Sequence, residues 1–229
     1  MRKPVVRIVL VLSLLTLAGI VALAAGGHHG IVISQDGRTS IAKQGPSHIT
    51  PRVEPAGLTT IAGNLSEYPN GVYFCCYGDT ISGPTSFLSG ANWVAVPFTP
   101  ASNMKVNEVE ASVGWGQDGT NGVTLSLNAD ASGLPGAALA SLDITGLPLF
   151  GECCTLAVAQ GPAGSGLPVV AGTQYWVVVS TDATFSNTFD AWSFNTTDMQ
   201  AHPYAYYNST NGVWTATEGL LPGYAVLGH

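Results

Sequence analysis

Four cysteines stand in two adjacent pairs, Cys75-Cys76 and Cys153-Cys154. Thiols cross-link, hold metals or exchange electrons. Structural zinc sites space their ligands as C-x₂₋₄-C, and redox pairs use C-x-x-C. Neither spacing occurs here, so disulfides are the expected chemistry. Four cysteines permit three connectivities. One closes each doublet on itself through a strained ring across a single peptide bond. The other two join the doublets. Closing so long a loop stabilises by roughly 4 kcal/mol in the chain-entropy model, which favours the crossed arrangements.

Carboxylates come next. Glu108 and Glu110 are two apart on a predicted strand and share a face. Glycosidases use paired carboxylates from elements on opposite sides of a sugar, so two strand neighbours are read as solvated. Asp118, Asn121, Asn128, Asp130 and Ser132 carry oxygen in or near two loops. Calcium takes six to eight oxygens, which makes Asp118, Asn121, Asn128 and Asp130 the candidate calcium ligands. No EF-hand spacing connects them, and the same residues are ordinary turn formers. No cofactor is expected beyond such a structural ion. His28-His29 follows the N-terminal apolar run, and His48 and His202 stand alone. All four are read as solvated. Neither G-x-S-x-G nor H-E-x-x-H occurs, and there is no phosphate-binding loop. The chain is therefore expected not to be an enzyme, with an unrecognised extracellular hydrolase as a remote alternative.

Aromatic rings are the remaining candidates. Trp192, Tyr204, Tyr206, Tyr207 and Trp214 crowd the last forty residues. Exposed rings stack on sugars, so these five form a candidate carbohydrate-binding platform. In the competing reading Trp192 and Trp214 fill the core, and the tyrosines bridge core and solvent. Asn64-Leu-Ser66, Asn195-Thr-Thr197 and Asn208-Ser-Thr210 match the glycosylation sequon.

Arg2, Lys3 and Arg7 precede an apolar run from Ile8 to Leu23, and Ala22-Leu-Ala-Ala25 follows. That order reads as a secretory signal peptide over residues 1–25. Its removal leaves four basic residues against fourteen acidic ones, a net charge of −10. Nucleic acid and anionic membrane surfaces are thereby disfavoured, because both need clustered Lys and Arg. No later segment is long and apolar enough to span a bilayer. The expected location is outside the cell or in the periplasm, with cell-surface proteins or glycans as partners. Residues 26–70 are poor in large apolar side chains and hold Pro46, Pro51, Pro55 and Pro69. They read as a linker or poorly ordered arm, with one short strand at Ile31-Val-Ile33.

Residues 71–229 must position whatever site exists. Gly172-Thr-Gln-Tyr-Trp-Val-Val-Val-Ser180 is apolar on both faces and predicts a central, doubly buried strand. Val109, Ala111, Val113 and Trp115 alternate with polar residues, as do Val123, Leu125 and Leu127. The two runs predict an antiparallel hairpin across the loop at Gln117–Gly122. Asn92–Phe98 reads as a strand whose Pro97 marks an edge or a bulge. Asp130–Gly136 is a dense turn in which Gly133 and Gly136 are free to take positive φ. No helical periodicity appears beyond the signal. The fold class is all-β, an antiparallel β-sandwich of jelly-roll type.

Trp93-Val-Ala-Val-Pro-Phe-Thr-Pro100, Val123–Gly136 with its Ser-Gly-Leu-Pro-Gly turn, Ala171-Gly-Thr-Gln-Tyr-Trp176 and Asn211-Gly-Val-Trp214 occur in this order. Together they resemble the choice-of-anchor R domain of secreted bacterial proteins, over about Gly71 to Gly228. The resemblance implies an extracellular, non-catalytic β-sandwich and supplies no catalytic residues. It also implies a C-terminal anchoring segment, which Ala225-Val-Leu-Gly-His229 does not resemble.

Overall fold

The computed structural model describes residues 20–23, 29–33, 39–43, 56–65, 73–151, 156–161, 166–195 and 198–229. Among these residues every regular element is a β-strand. The first five are β1 (Ile20–Leu23), β2 (His29–Ile33), β3 (Thr39–Lys43), β4 (Thr59–Gly63) and β5 (Tyr73–Ser82). Then come β6 (Asn92–Phe98), β7 (Met104–Ala111), β8 (Val113–Asp118), β9 (Gly122–Asp130) and β10 (Pro135–Thr145). The short strands β11 (Ala157–Gln160) and β12 (Leu167–Val169) precede β13 (Tyr175–Ser180) and β14 (Phe189–Asn195). The last three are β15 (His202–Asn208), β16 (Val213–Gly219) and β17 (Tyr224–Gly228). The chain is an antiparallel β-sandwich.

β13 is central, as its unbroken apolar run predicts. It pairs with β6 through Val177↔Val96 and with β9 through Val177↔Leu127. Tyr175, Val177 and Val179 face the main core, and Trp176 and Val178 pack with Ala95 and Ala205 on the other face. The first layer runs β16-β15-β6-β13-β9-β10. Pro97 is therefore on an interior strand rather than an edge: it pairs with Trp176 of β13, while the pairing of β15 with β6 stops short of it at Ala95.

The second layer runs β4-β17-β7, with β11 and β12 following one another along the far edge of β7. It does not contain the predicted 109–127 hairpin. β7 pairs with β17, β8 pairs with β14, and β9 belongs to the first layer. Val109, Val113, Leu125 and Leu127 do share the core, but they meet across it rather than along a hydrogen-bonded ladder. Alternation marks which face is buried and does not name the neighbouring strand.

Ser112 is the joint at which β7 becomes β8. Its N–H donates to the Gly223 carbonyl at 3.0 Å, and its carbonyl accepts from Ser193 N at 2.9 Å. Its hydroxyl reaches the carbonyls of Ser193 and Gly223 at 2.8 and 3.0 Å. Trp192, fully buried, donates its indole N–H to Gly223 O at 2.8 Å. Three strands are thus tied at one buried point, and every polar group there finds a partner.

β4 lies within the segment read as a linker, yet it pairs with β17 from Thr59↔Gly228 to Gly63↔Ala225. Leu65 is 1% exposed beside Ala225 and Leu227. The Asn64 side chain donates to Pro222 O at 2.9 Å and accepts from Tyr224 N at 2.9 Å. One leucine and one bridging amide therefore anchor a polar strand that its own composition does not announce. Further upstream, β1 falls within the segment read as a signal and pairs with β2. β2 covers the predicted strand at 31–33, and β3 pairs with β5 at Ser40↔Asp79. Cys153 and Cys154 lie outside the described residues, and with them the disulfide expectation.

Candidate functional site

The aromatic platform divides between two faces of one sheet. On β15, Tyr204 and Tyr206 share a face, as their spacing requires, and it is the inner one. Tyr204 is 1% exposed, Tyr206 is buried, and Trp192 joins Tyr204 in the main core. These three rings present no face to solvent, which removes them from a sugar-stacking platform. Tyr207 and Trp214 point outward and are half-buried. Trp214 is thus not the core residue of the competing reading. Trp93, on the neighbouring β6, completes the outer group. Its ring stacks on Tyr207 at 4.2 Å and 15° and lies 6.3 Å from Trp214. Tyr207 meets Trp214 edge-on at 5.8 Å. Trp93 Nε1 donates to Thr181 Oγ1 at 2.9 Å, fixing the end of the row. Trp93 escaped sequence reasoning because it precedes the aromatic-rich stretch by a hundred residues. The direct pairing Tyr207↔Trp93 brings it there.

The four candidate calcium ligands do not converge. Asp118 ends β8 and Asn121 just precedes β9, whereas Asn128 and Asp130 lie at the far end of β9. Nine residues at about 3.3 Å each hold the two sets more than ~20 Å apart. Their oxygens are also engaged. Asn121 exchanges two hydrogen bonds with the backbone of Leu147, at 2.7 and 3.0 Å. Asn128 Oδ1 accepts from Ser126 at 2.7 Å, and its amide donates to Gly136 O at 2.8 Å. Asp130 Oδ1 accepts from the Trp176 indole and from Gln174, both at 2.8 Å, and Oδ2 accepts from Gly133 N at 3.0 Å. The Gly133 amide and then the Trp176 indole hold the Asp130 carboxyl below its ordinary range. This is turn chemistry. Ser132 and Gly133 take the positive φ values, at 58° and 84°, and Gly136 does not. Among the described residues no three His, Cys, Asp or Glu side chains are placed to share a metal.

Glu108 and Glu110 are buried, not solvated. β11 covers one side of β7 and β17 the other, so their strand is interior. Glu108 Oε2 accepts from Gln160 at 2.5 Å. His202, half-exposed, lies 2.6 Å from Asp198. The backbone amide of Gln200 and then His202 lower the Asp198 carboxyl.

A cleft of about 380 Å³ opens between the free edge of β10 in one layer and β11 and β12 in the other. Val106, Val109, Leu125, Leu127 and Leu167 floor it, with Ala140 and Leu142 along one wall. Asn107, Glu108, Gln160 and Ser141 supply its polar groups. Among the described residues Glu108 is the only acid that lines it, and it already holds a partner. The cleft can bury an apolar segment and bond a few polar groups. Among the described residues no second carboxylate stands across from Glu108, as acid–base hydrolysis of a sugar requires.

Fold and cleft define an antiparallel β-sandwich whose cleft lies beside β10, an edge strand among the described residues. No family model, no curated protein and no solved structure matches the chain.

Proposed function

We propose that the chain is an exported, non-catalytic β-sandwich module that binds a partner at or outside the cell surface. The cleft beside β10 carries this reading. β10 pairs with β9 on one side only among the described strands, and Leu139 and Leu142 stand 43% and 45% exposed along it. A free edge above an apolar floor suits an extended segment of a cell-surface protein, which would hydrogen-bond to the edge and seat alternate side chains in the cleft. The signal-like N-terminus, the surface poor in cations and the resemblance to the choice-of-anchor R domain support export and the absence of catalysis. Capture of partners from a cell-envelope fraction tests it. The protein retains a partner and Leu142→Arg, which places a charge at the cleft, loses it. Equal retention by both removes the cleft from the reading.

The outward row Trp93, Tyr207 and Trp214 favours a second reading, glycan binding. Trp93 and Tyr207 spend one face each on the other, so a sugar would meet the remaining faces and edges. Binding on a glycan array that disappears in Tyr207→Ala/Trp214→Ala supports this reading. Silence on the array leaves the protein partner.

A further inference from the structure

β14 carries one acid in an otherwise neutral run, Phe189-Asp-Ala-Trp-Ser-Phe-Asn195, and all seven residues are buried. Asp190 is 0% exposed and lies between β5, where it faces Ile81, and β8, where it faces Trp115. One carboxyl oxygen, Oδ1, has no hydrogen bond of good geometry, although the Gly116 amide on β8 lies close enough to the carboxyl to favour its anion weakly. The other, Oδ2, lies 2.8 Å from Thr188 Oγ1.

The protons around Thr188 can be counted. Its hydroxyl also makes a short contact with the Thr120 carbonyl. A carbonyl only accepts, and a hydroxyl has one proton to give. That proton goes to Thr120. The contact between Thr188 and Asp190 then joins two oxygens with no proton left between them, unless the carboxyl supplies one. Burial points the same way. It drives the Asp190 carboxyl well above 3.8, and outweighs what the Thr188 hydroxyl, were it the donor, and the Gly116 amide would do to lower it. An orphaned oxygen on a neutral acid also costs far less than one on a buried anion.

We infer that Asp190 is protonated in the folded protein, and that its proton latches the Gln117–Gly122 turn to the segment running from Phe185 into β14. The chain is Asp190 O–H to Thr188 Oγ1, and Thr188 O–H to the Thr120 carbonyl. Thr120 holds the same segment from its other side, donating both N–H and hydroxyl to Asn187 Oδ1 at 3.1 and 2.8 Å. Gly119, with φ 67°, lets the turn lie against the Asn187 carbonyl, where a Cβ would come within 1.9 Å. Ionisation breaks the chain at one point. The Thr188 proton turns to the new carboxylate, Thr120 O is released to water, and the turn loosens while the two layers stay packed.

The other charged groups on the surrounding elements are acidic. Asp79, buried on β5 opposite Trp192, stands two pairs along from Asp190 and so on the same face. Asp118 ends β8, and Asp182 caps Thr184 and Phe185 in the loop before β14. Tyr77 lies further along β5 at the surface, and Tyr204 shares the core with Trp192. No Lys, Arg or His occurs on β5, β8 or β14, or between β13 and β14, to favour the anion.

Carbon-detected NMR of the full chain, labelled at aspartate and at tryptophan, tests the latch. Trp115 reports on it, because its indole N–H donates to Asp118 O within the turn at 3.2 Å. The Asp190 carboxyl carbon is expected to titrate well above 3.8, and the Trp115 indole signal to shift with the same midpoint. In Asp190→Asn the side-chain amide donates to Thr188 in place of the acid, so the Trp115 signal loses that step. An Asp190 midpoint at or below 3.8 overturns the inference, as does an unchanged Trp115 step in Asp190→Asn. If that variant does not fold, the carboxyl titration of the unsubstituted protein decides alone.

Discussion

Asp130 and Asp190 are the same side chain set in opposite surroundings. Asp130 is exposed at the end of β9 and gathers the Gly133 amide, the Trp176 indole and the Gln174 amide. Asp190 lies inside β14 with one orphaned oxygen and one threonine. Donors lower the first carboxyl, and burial raises the second. The difference teaches that an aspartate in a sandwich is an anion where it caps a turn and an acid where a strand carries it into the core. It also fixes two opposite pH slopes. Asp130, lowered in the fold, adds stability above 3.8, and that contribution disappears as pH falls through its folded value. Asp190, raised in the fold, adds stability below 3.8, and that contribution disappears as pH rises towards its folded value.

The largest expected effect is at the buried end. Thr188→Val keeps the shape and removes the hydroxyl, which orphans the Asp190 proton in a site without water contact. Leaving a buried group unpaired costs on the order of 2 kcal/mol. For a domain of this size that lowers Tm by roughly 4–8 °C. A melt of Thr188→Val at pH 4, where Asp190 is protonated in both folded chains, should show the full loss. An unchanged Tm breaks the comparison, because Asp190 would then not depend on Thr188.

Asp130→Ala comes next, at about 1 kcal/mol near neutral pH. It removes three hydrogen bonds to a charged group, but water replaces most of their worth at an exposed turn. Its deficit should shrink as pH falls below 3.8, where the native carboxylate is itself being lost. Paired melts across that range check the sign. A deficit that stays constant means that the turn is held by its backbone and not by the anion.

Much of the fold was legible and much of the site was not, for one physical reason. Residue types report burial and periodicity reports a face, but neither reports what lies across that face. β13 was legible because five consecutive apolar residues fit only a doubly buried strand. The alternation in β7 was legible, while its partner β17 was not. β4 carries a single large apolar residue, Ile61, and joins the fold through Asn64 and Leu65 just beyond its end. Spacing put Tyr204 and Tyr206 on one face and could not tell core from solvent, so Tyr207 and Trp214 were grouped with rings that point the other way. Asp190 carried no signal, because a lone Asp beside a strand reads as its end. Only the Thr120 carbonyl, seventy residues away in sequence, reveals its proton.

The smallest effect is the sharpest test of why Asp130 is an anion. Gln174→Ala removes the weaker of its two side-chain donors, at a half-buried position, and should cost only a few tenths of a kcal/mol. Thermal melts will hardly register it, but the Asp130 carboxyl signal will, because titration reads the donors directly. Loss of the Gln174 donor should raise the midpoint slightly. Trp176→Phe, which removes a stronger donor, should raise it further, whatever the lost indole does to packing. The order of the two shifts matters more than their size. If Gln174→Ala moves Asp130 more than Trp176→Phe does, the exposed amide rather than the buried indole sets the charge. Asp130 would then owe its low value to the surface, and the contrast with Asp190 would reduce to solvent exposure alone.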